Sequence, residues 1–174
     1  MIKAEFKLEG VKEALENFSS KAVKQAIRST LDKTATQGKK EIVDLVSTQY
    51  NIAPKDVRDT IEIKRTTQTA FETAIKIASK KLSLLYFKAR QTPRGVLANV
   101  RKGSVSFYPS AFIVDRWHKV MRRTGRKRLP IQHRAGPSVT EIVATERIMD
   151  KIKTKVSQVM NDLFPEEIKK RIGR

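Results

Sequence analysis

Residues 21–46, KAVKQAIRSTLDKTATQGKKEIVDLV, carry the pattern that decides the fold class. Apolar or small side chains recur there every three or four residues, which is the spacing of the buried face of an amphipathic helix. These side chains are Val23, Ile27, Leu31, Thr34, Ala35, Ile42, Leu45 and Val46. Ser19 or Ser20 can cap the first turn. We therefore predict one long N-terminal helix that ends near Tyr50 and Asn51.

Short elements flank this helix on both sides. Residues 2–8 alternate between apolar and charged side chains and are followed by Gly10, a pattern typical of a short strand. Residues 11–18 fit a short helical turn. After the long helix, Pro54 fits the first turn of a second short helix, and Asp56 suits the positive N-terminal end of that helix.

The middle of the chain predicts several short strands. Period-two alternation runs through residues 61–64, 71–77, 96–100 and 105–108, and compact apolar runs lie at 82–87 and 111–114. The sequence Thr92-Pro93-Arg94-Gly95 is a turn signal between two of these stretches.

A second long helix is predicted near the C-terminus. Ser138 and Glu141 have the spacing of a capping box. The apolar stripe that follows contains Ile142, Met149, Ile152, Val156, Val159 and Leu163. This stripe fits either a helix buried against the sheet or a seam between subunits. Phe164-Pro165 should end the helix and leave a fraying basic tail at 165–174.

The order of these elements defines the expected architecture. Helices grouped around short antiparallel strands make an α+β fold, an antiparallel sheet packed with a long N-terminal and a long C-terminal helix. The length of 174 residues fits one domain, so residues 1–174 are expected to form a single α+β domain.

Composition limits the classes of function. Lysine and arginine number 37 against 18 acidic residues, a formal net charge of +19. This exceeds what solubility requires and favours a polyanionic neighbour, because neutralised phosphates release condensed counterions. The absence of cysteine excludes disulfides, thiolate metal sites and thiol catalysis. No signal peptide or membrane span is recognisable, so we expect a soluble protein.

The positive charge is concentrated in one segment. Between Lys80 and Arg134 there are 15 basic residues and one acidic residue, a net +14. A basic loop is expected at about 115–134, with Gly125 at a mobile tip between strands. Its candidate contact residues for DNA or a partner are Arg116, Lys119, Arg122, Arg123, Arg126, Lys127, Arg128 and Arg134. Phosphates, an acidic neighbouring subunit and plain solvent all remain possible environments.

Other chemistry is weakly represented. Trp117 and Tyr108 could stack on bases, but anchors in a core or an interface explain them better. His118 and His133 lack a second ligand at metal spacing, and Asp115 is the lone acidic residue of the basic segment. We predict no catalytic residues, no metal and no cofactor, and therefore no enzyme.

Several segments, taken in order, resemble the minor tail protein Z family of tailed phages and prophages. They are LSLLYFKARQTPRGV at 82–96, YNI at 50–52 with KDVR at 55–58, PSAFI at 109–113, RKRLPI at 126–131 and GPSV at 136–139. Together they extend over nearly the whole chain. Family members commonly carry glycine where this chain has Lys88.

The resemblance implies a structural role in the virion, at the neck or head-proximal end of the tail, with assembly in the host cytoplasm. It implies tail completion and head–tail joining by a homo-oligomeric ring, expected to be a hexamer. The implied neighbours are tail terminator, tail tube or neck connector proteins, and no catalytic residues are carried over.

A ring would repeat the basic loop by rotation and create a circle of positive charge. Facing inward, this circle could touch viral DNA, and the arginine content favours that orientation; facing outward, it could hold acidic tail or connector subunits. The alternative function is a free, sequence-nonspecific nucleic-acid-binding protein, and a nuclease ranks third. No recognised nucleic-acid-binding module supports the alternative.

Overall fold

The computed structural model describes residues 3–5, 21–67 and 71–172. Its helices are α1 (Lys21–Gln49), α2 (Pro54–Asp59), α3 (Val139–Val143) and α4 (Glu146–Ile172). Its strands are β1 (Lys3–Glu5), β2 (Ile61–Lys64), β3 (Ala74–Ile77), β4 (Arg90–Thr92), β5 (Gly95–Ala98), β6 (Ser106–Pro109), β7 (Ala111–Val114), β8 (Lys119–Arg123) and β9 (Ile131–His133). Two 3-10 helices cover Leu84–Phe87 and Asp115–Trp117. The predicted α+β class is confirmed.

The described residues group into two compact units. Unit 1 contains the described parts of 1–42, 61–77 and 144–174, and unit 2 contains 43–60 and 78–143. The strands form three antiparallel sheets of three strands each, in the orders β1-β3-β2, β4-β5-β6 and β7-β8-β9. The first sheet belongs to unit 1 and the other two belong to unit 2.

Helix α1 forms as its periodicity predicts and ends at Gln49, close to the expected end. Seven of the eight predicted stripe residues are buried, and Leu45 is half-buried. Helix α2 begins at Pro54, as predicted. The remainder of the predicted strand at 2–8, the helical turn at 11–18 and the serine cap lie outside the described residues.

Unit 1 packs α1 against β3 and α4. Val23, Ile27 and Leu31 form a buried cluster on α1, against which Phe71 and Phe164 pack. Further along α1, a Cβ added at Gly38 would lie 3.0 Å from Ile75 and 3.2 Å from Val156. The missing side chain at Gly38 therefore lets the helix approach both neighbours closely. The predicted strand at 71–77 is shorter than expected, because β3 begins only at Ala74.

Unit 2 has its own apolar core. The residues that lose nearly all solvent exposure there include Leu84, Phe87, Val96, Val120, Val139 and Ile142. The predicted turn at 92–95 connects β4 to β5, and the apolar runs and alternating stretches after it become β5, β6 and β7. Within the apolar run at 82–87, Leu84–Phe87 form a 3-10 helix.

The predicted capping box forms, but the helix behind it is short. The Glu141 backbone N–H donates to the Ser138 hydroxyl at 3.1 Å, and the Ser138 N–H donates to the Glu141 carboxylate at 3.0 Å. Helix α3 then ends, and the Thr145 carbonyl accepts hydrogen bonds from Ile148 and Met149 in the first turn of α4. The prediction of one continuous helix from the capping box is therefore wrong.

The predicted break at Pro165 is also wrong, since α4 continues through this proline to Ile172. A proline removes one backbone donor and strains the preceding turn. The turn beyond it is held by Glu167, which is buried and forms ion pairs with Lys33 and Arg171. Tertiary contacts in unit 1 thus stabilise a helix that its local sequence would end.

Candidate basic interface

Much of the predicted basic loop at 115–134 folds into strands. Its residues form β8 and β9, which pair antiparallel, with a short 3-10 turn before them. The Thr124 backbone N–H and hydroxyl both donate to the Pro130 carbonyl, at 3.2 and 3.0 Å. These two bonds close an exposed tip at 125–129 that contains Gly125. We call the unit formed by β8, this tip and β9 the basic hairpin.

The middle of β8 anchors the basic hairpin in unit 2. Val120 and Met121 are both buried, although successive side chains on a strand point to opposite faces. The centre of β8 is therefore covered on both sides. Lys119 before this pair and Arg122 and Arg123 after it are exposed. The apolar pair fixes the strand, and the cations project into solvent at its ends.

All eight predicted contact cations are exposed: Arg116, Lys119, Arg122, Arg123, Arg126, Lys127, Arg128 and Arg134. Within the described ranges, the two ion pairs found both involve Glu167 of unit 1, so none of the eight has a carboxylate within 4.0 Å. By sequence, unit 2 carries 17 basic and five acidic residues, a net +12. The surface therefore has a field of one sign that internal pairing does not neutralise.

Two arginines of unit 2 are oriented by aromatic rings. The guanidinium carbon of Arg123 lies 4.9 Å from the ring centre of Phe112, on the neighbouring strand. Arg101 lies 5.6 Å from the ring centre of Tyr50, and its Nε donates to the Tyr50 hydroxyl at 3.3 Å. Stacking leaves the edge of a guanidinium able to donate hydrogen bonds.

His133 lies on β9, in the basic hairpin. Partial burial lowers its pKa below the ordinary value of 6.5, and the positive charge of Lys119 lowers the pKa further. The imidazole is therefore mainly neutral at pH 7 and adds little to the positive field. In the part of the chain that is described, no three histidine, aspartate or glutamate residues are grouped so that they could hold a metal ion.

The aromatic residues near the basic hairpin are not core residues. Trp117 is 51% exposed, and Tyr108 is half-buried. Trp117 is therefore not a core anchor, and the prediction that the two residues are core or interface anchors otherwise stays a prediction. Trp117 lies between the basic residues Arg116 and Lys119, in a position open to a partner.

The six predicted subunit-interface residues divide into two groups. Ile142, Ile152 and Val156 are buried within the chain, which agrees with the alternative of a helix packed against its own core. Met149, Val159 and Leu163 are half-buried. Ile142 lies on α3, and the other five residues lie on α4. A subunit contact stays a prediction for the half-buried group.

Two residues of the segment at 82–96, Gln91 and Gly95, connect the strands of unit 2. The Gln91 amide donates to the carbonyls of Thr92 and Gly95, at 3.0 and 3.1 Å, and accepts from the Ile113 N–H at 2.8 Å. A Cβ at Gly95 would lie 2.2 Å from the Tyr108 carbonyl oxygen, so β5 and β6 can pair this closely only around glycine. These residues join β4, β5, β6 and β7.

Sequence reasoning missed one cation of this surface. Arg94, in the turn between β4 and β5, lines an open cleft together with Arg122, Arg123 and Arg126 of the basic hairpin. Arg94 lies in a separate turn, far in sequence from the hairpin cations, so the sequence does not group it with them. The cluster exists only because the β4–β5 turn is folded beside the hairpin tip.

The fold and this surface define a small α+β protein whose candidate site is a cationic binding surface. None of its described helices is long and apolar enough to cross a membrane. The chain matches the family model of prophage minor tail protein Z over residues 8–174, and it therefore belongs to that family of structural phage tail proteins. No curated protein and no solved structure matched the chain.

Proposed function

We propose that this protein is a tail-completion subunit at the head-proximal end of the phage tail, joining the tail to the neck. It acts as a ring of identical subunits, a hexamer that matches the symmetry of the tail tube. Its neighbours are tail terminator, tail tube or neck connector proteins in the virion, and assembly takes place in the host cytoplasm. Membership of the minor tail protein Z family supports the tail context.

The observation that carries the proposal is the field of one sign on the basic hairpin. Six exposed cations on the basic hairpin, with Arg116 and Arg134 beside it, form no ion pair within the described residues and repel one another in an isolated subunit. Rotational symmetry would bring several copies of this surface together and raise the repulsion further. Such a surface is stabilised by a polyanion, and the polyanion that passes through a tail is the genome. We therefore place the basic hairpin on the inner side of the ring, where it contacts viral DNA through phosphates.

Reversal of charge on the basic hairpin tests this role. The variant Arg122→Glu, Arg123→Glu, Arg126→Glu and Arg128→Glu should still enter assembled particles, because these side chains are exposed. The particles should fail to retain or deliver DNA, because the ring would repel phosphates. A matched control reverses four exposed lysines of unit 1, by Lys21→Glu, Lys24→Glu, Lys151→Glu and Lys155→Glu.

The outcomes separate the orientations of the ring. Variant particles that assemble and inject normally would contradict the inner position. Loss of the protein from particles in the hairpin variant, but not in the control, would show that the hairpin faces a protein neighbour. Native mass spectrometry of the purified protein at high concentration should show the ring, and a strictly monomeric protein would contradict this part of the proposal.

A free nucleic-acid-binding protein is the second candidate, and the exposed Trp117 is the observation that favours it. Arg116 and Lys119 flank this indole, and a ring beside cations can stack on bases. This candidate predicts steep, salt-dependent DNA binding by the monomer, a loss of affinity in Trp117→Ala, and absence of the protein from purified virions. Presence in virions would rule it out.

A further inference from the structure

A cleft of about 640 Å³ lies within unit 2 beside the tip of the basic hairpin. One wall is the turn between β4 and β5, and a second is the corner between β6 and β7. The end of β8 and the start of the hairpin tip complete it. The cleft is open to solvent, so a ligand can reach its lining from outside.

The wall that carries Arg94 is held in place by hydrogen bonds. The Ser110 N–H donates to the Arg94 carbonyl at 3.1 Å and ties the β6–β7 corner to the β4–β5 turn. Gln91 of β4 accepts a hydrogen bond from the Ile113 N–H of β7, and the Thr92 hydroxyl donates to the Gly95 carbonyl at 2.8 Å across the turn. The turn is therefore ordered without any contribution from the Arg94 side chain, which is exposed.

The cleft collects positive charge and nothing that neutralises it. Arg94, Arg122, Arg123 and Arg126 line it, and no acidic residue does. The one acidic residue of the surrounding segment, Asp115, follows the far end of β7. It lies four residues beyond Ala111, which is about 13 Å along a strand. Four guanidinium groups around one cleft repel one another, and an anion placed among them removes that cost.

We propose that this cleft binds phosphate groups of the DNA backbone, and that Arg94 is a DNA-contacting residue. The inference rests on the proposed function, in which the basic hairpin faces the genome. Guanidinium groups bind two phosphate oxygens at once, and all four cations of the cleft are arginine. Arg123 is already oriented by Phe112. Beyond Arg126, the exposed Lys127 and Arg128 extend the cationic track, as a repeating polyanion requires.

The test measures binding of the purified full-length protein to a 20-base-pair duplex by fluorescence anisotropy at several salt concentrations. The cleft variant is Arg94→Gln with Arg126→Gln. Its control, Arg90→Gln with Lys102→Gln, removes two exposed cations of unit 2 that do not line the cleft. Circular dichroism should show both variants folded. Pyrophosphate and poly-glutamate of matched total charge serve as competitors.

The cleft variant should lose about tenfold or more in affinity for the duplex, and the control about threefold or less. The slope of log K against log salt should become shallower by about 1.8 in the cleft variant, from two lost phosphate contacts. Equal losses in the two variants would overturn the inference, since bulk charge would then explain binding. Displacement of the duplex by pyrophosphate at equal ionic strength would instead assign the cleft to free phosphate.

Displacement by poly-glutamate as readily as by unlabelled duplex would assign the cleft to an acidic protein and would also overturn it. Failure of the inference is distinguishable from failure of the proposed function. Suppose that the two double variants bind the duplex alike while the charge-reversed hairpin still blocks DNA delivery. The proposed tail function is then supported, and phosphate binding by the cleft is contradicted. Suppose instead that the cleft variant loses affinity for the duplex but the charge-reversed particles inject normally. Phosphate binding by the cleft is then supported, and the inner position of the hairpin in the ring is contradicted.

Discussion

The Nζ of Lys33 lies 2.6 Å from Oε1 of Glu167, although 134 residues separate them in the chain. The Glu167 side chain is only 3% exposed, and its second carboxylate oxygen accepts a hydrogen bond from Arg171. Hydrogen bonds from Lys33 and then Arg171 hold the pKa of Glu167 at about 2, against burial, which alone would raise the pKa. This carboxylate therefore fastens the end of α4 to α1.

Neutralisation of Glu167 should destabilise the protein at pH 7. Glu167→Gln leaves the Lys33 and Arg171 cations beside a buried amide, and we expect a loss of about 2 kcal/mol in the free energy of unfolding. This is less than the full pKa shift implies, because Lys33 is half exposed and solvent screens it. Urea denaturation of the wild type and the variant at a series of pH values measures the difference.

The pH dependence has a definite sign. The folded pKa of about 2 lies below the ordinary 4.5, so the stabilisation is fully present above pH 4.5 and is lost as the pH falls from 4.5 towards 2. The difference between wild type and Glu167→Gln should shrink over that window. Glu166→Gln is the matched control, because Glu166 is adjacent but exposed. An equal loss in both variants would contradict a specific role for Glu167.

The elements that the sequence predicts well have one buried face and one exposed face. Helix α1 shows a three-to-four period because its apolar stripe is buried and four of its five lysines are exposed. Strand β8 hides its period, because Val120 and Met121 are buried on opposite faces between charged residues. The continuation of α4 past Pro165 depends on a partner 134 residues away, and no local pattern reports it.

The candidate site likewise has features that the sequence predicts and features that only the fold creates. The cations of the basic hairpin are close together in sequence, so composition alone reveals them. Arg94 joins them only through the folded position of its turn, and the cleft that it lines has no counterpart in the sequence. The exposure of Trp117 was likewise hidden, because apolar character usually indicates burial.

Replacement of Lys88 by glycine should stabilise the protein. It follows the 3-10 helix at Leu84–Phe87 and has φ 55° and ψ 44°, a left-handed conformation in which a Cβ is strained. We expect Lys88→Gly to raise the free energy of unfolding by about 1 kcal/mol, measured by urea denaturation. Lys88→Ala keeps the Cβ and should give no comparable gain. Equal gains in both variants would show that loss of charge, not relief of strain, stabilises the protein.

Gly136 should not tolerate a side chain. A Cβ there would lie 2.5 and 2.9 Å from ring atoms of Phe87, which is fully buried, while the Gly136 N–H donates to the Leu82 carbonyl at 2.8 Å. Gly136→Ala should cost about 2 kcal/mol in thermal or urea unfolding, as overpacking does. Gly125→Ala is the control, since nothing lies within 4 Å of its added Cβ. If Phe87→Leu fails to recover part of the loss in the double variant, the clash is not the cause.

The pKa of His133 should rise when Lys119 loses its charge. Burial is the larger cause of the lowered pKa, and the charge of Lys119 is the smaller cause. Lys119→Gln should therefore raise the pKa of His133 only part of the way towards 6.5. Because the pKa of His133 is lower in the folded state, its contribution to stability is fully present above pH 6.5. This contribution is lost as the pH falls from 6.5 towards the pKa of the folded state. Titration of the His133 ring proton by NMR measures the shift, with Lys127→Gln at the exposed tip as the control. If Lys119→Gln leaves the titration midpoint unchanged, burial alone keeps the imidazole neutral, and the charge of β8 does not reach β9.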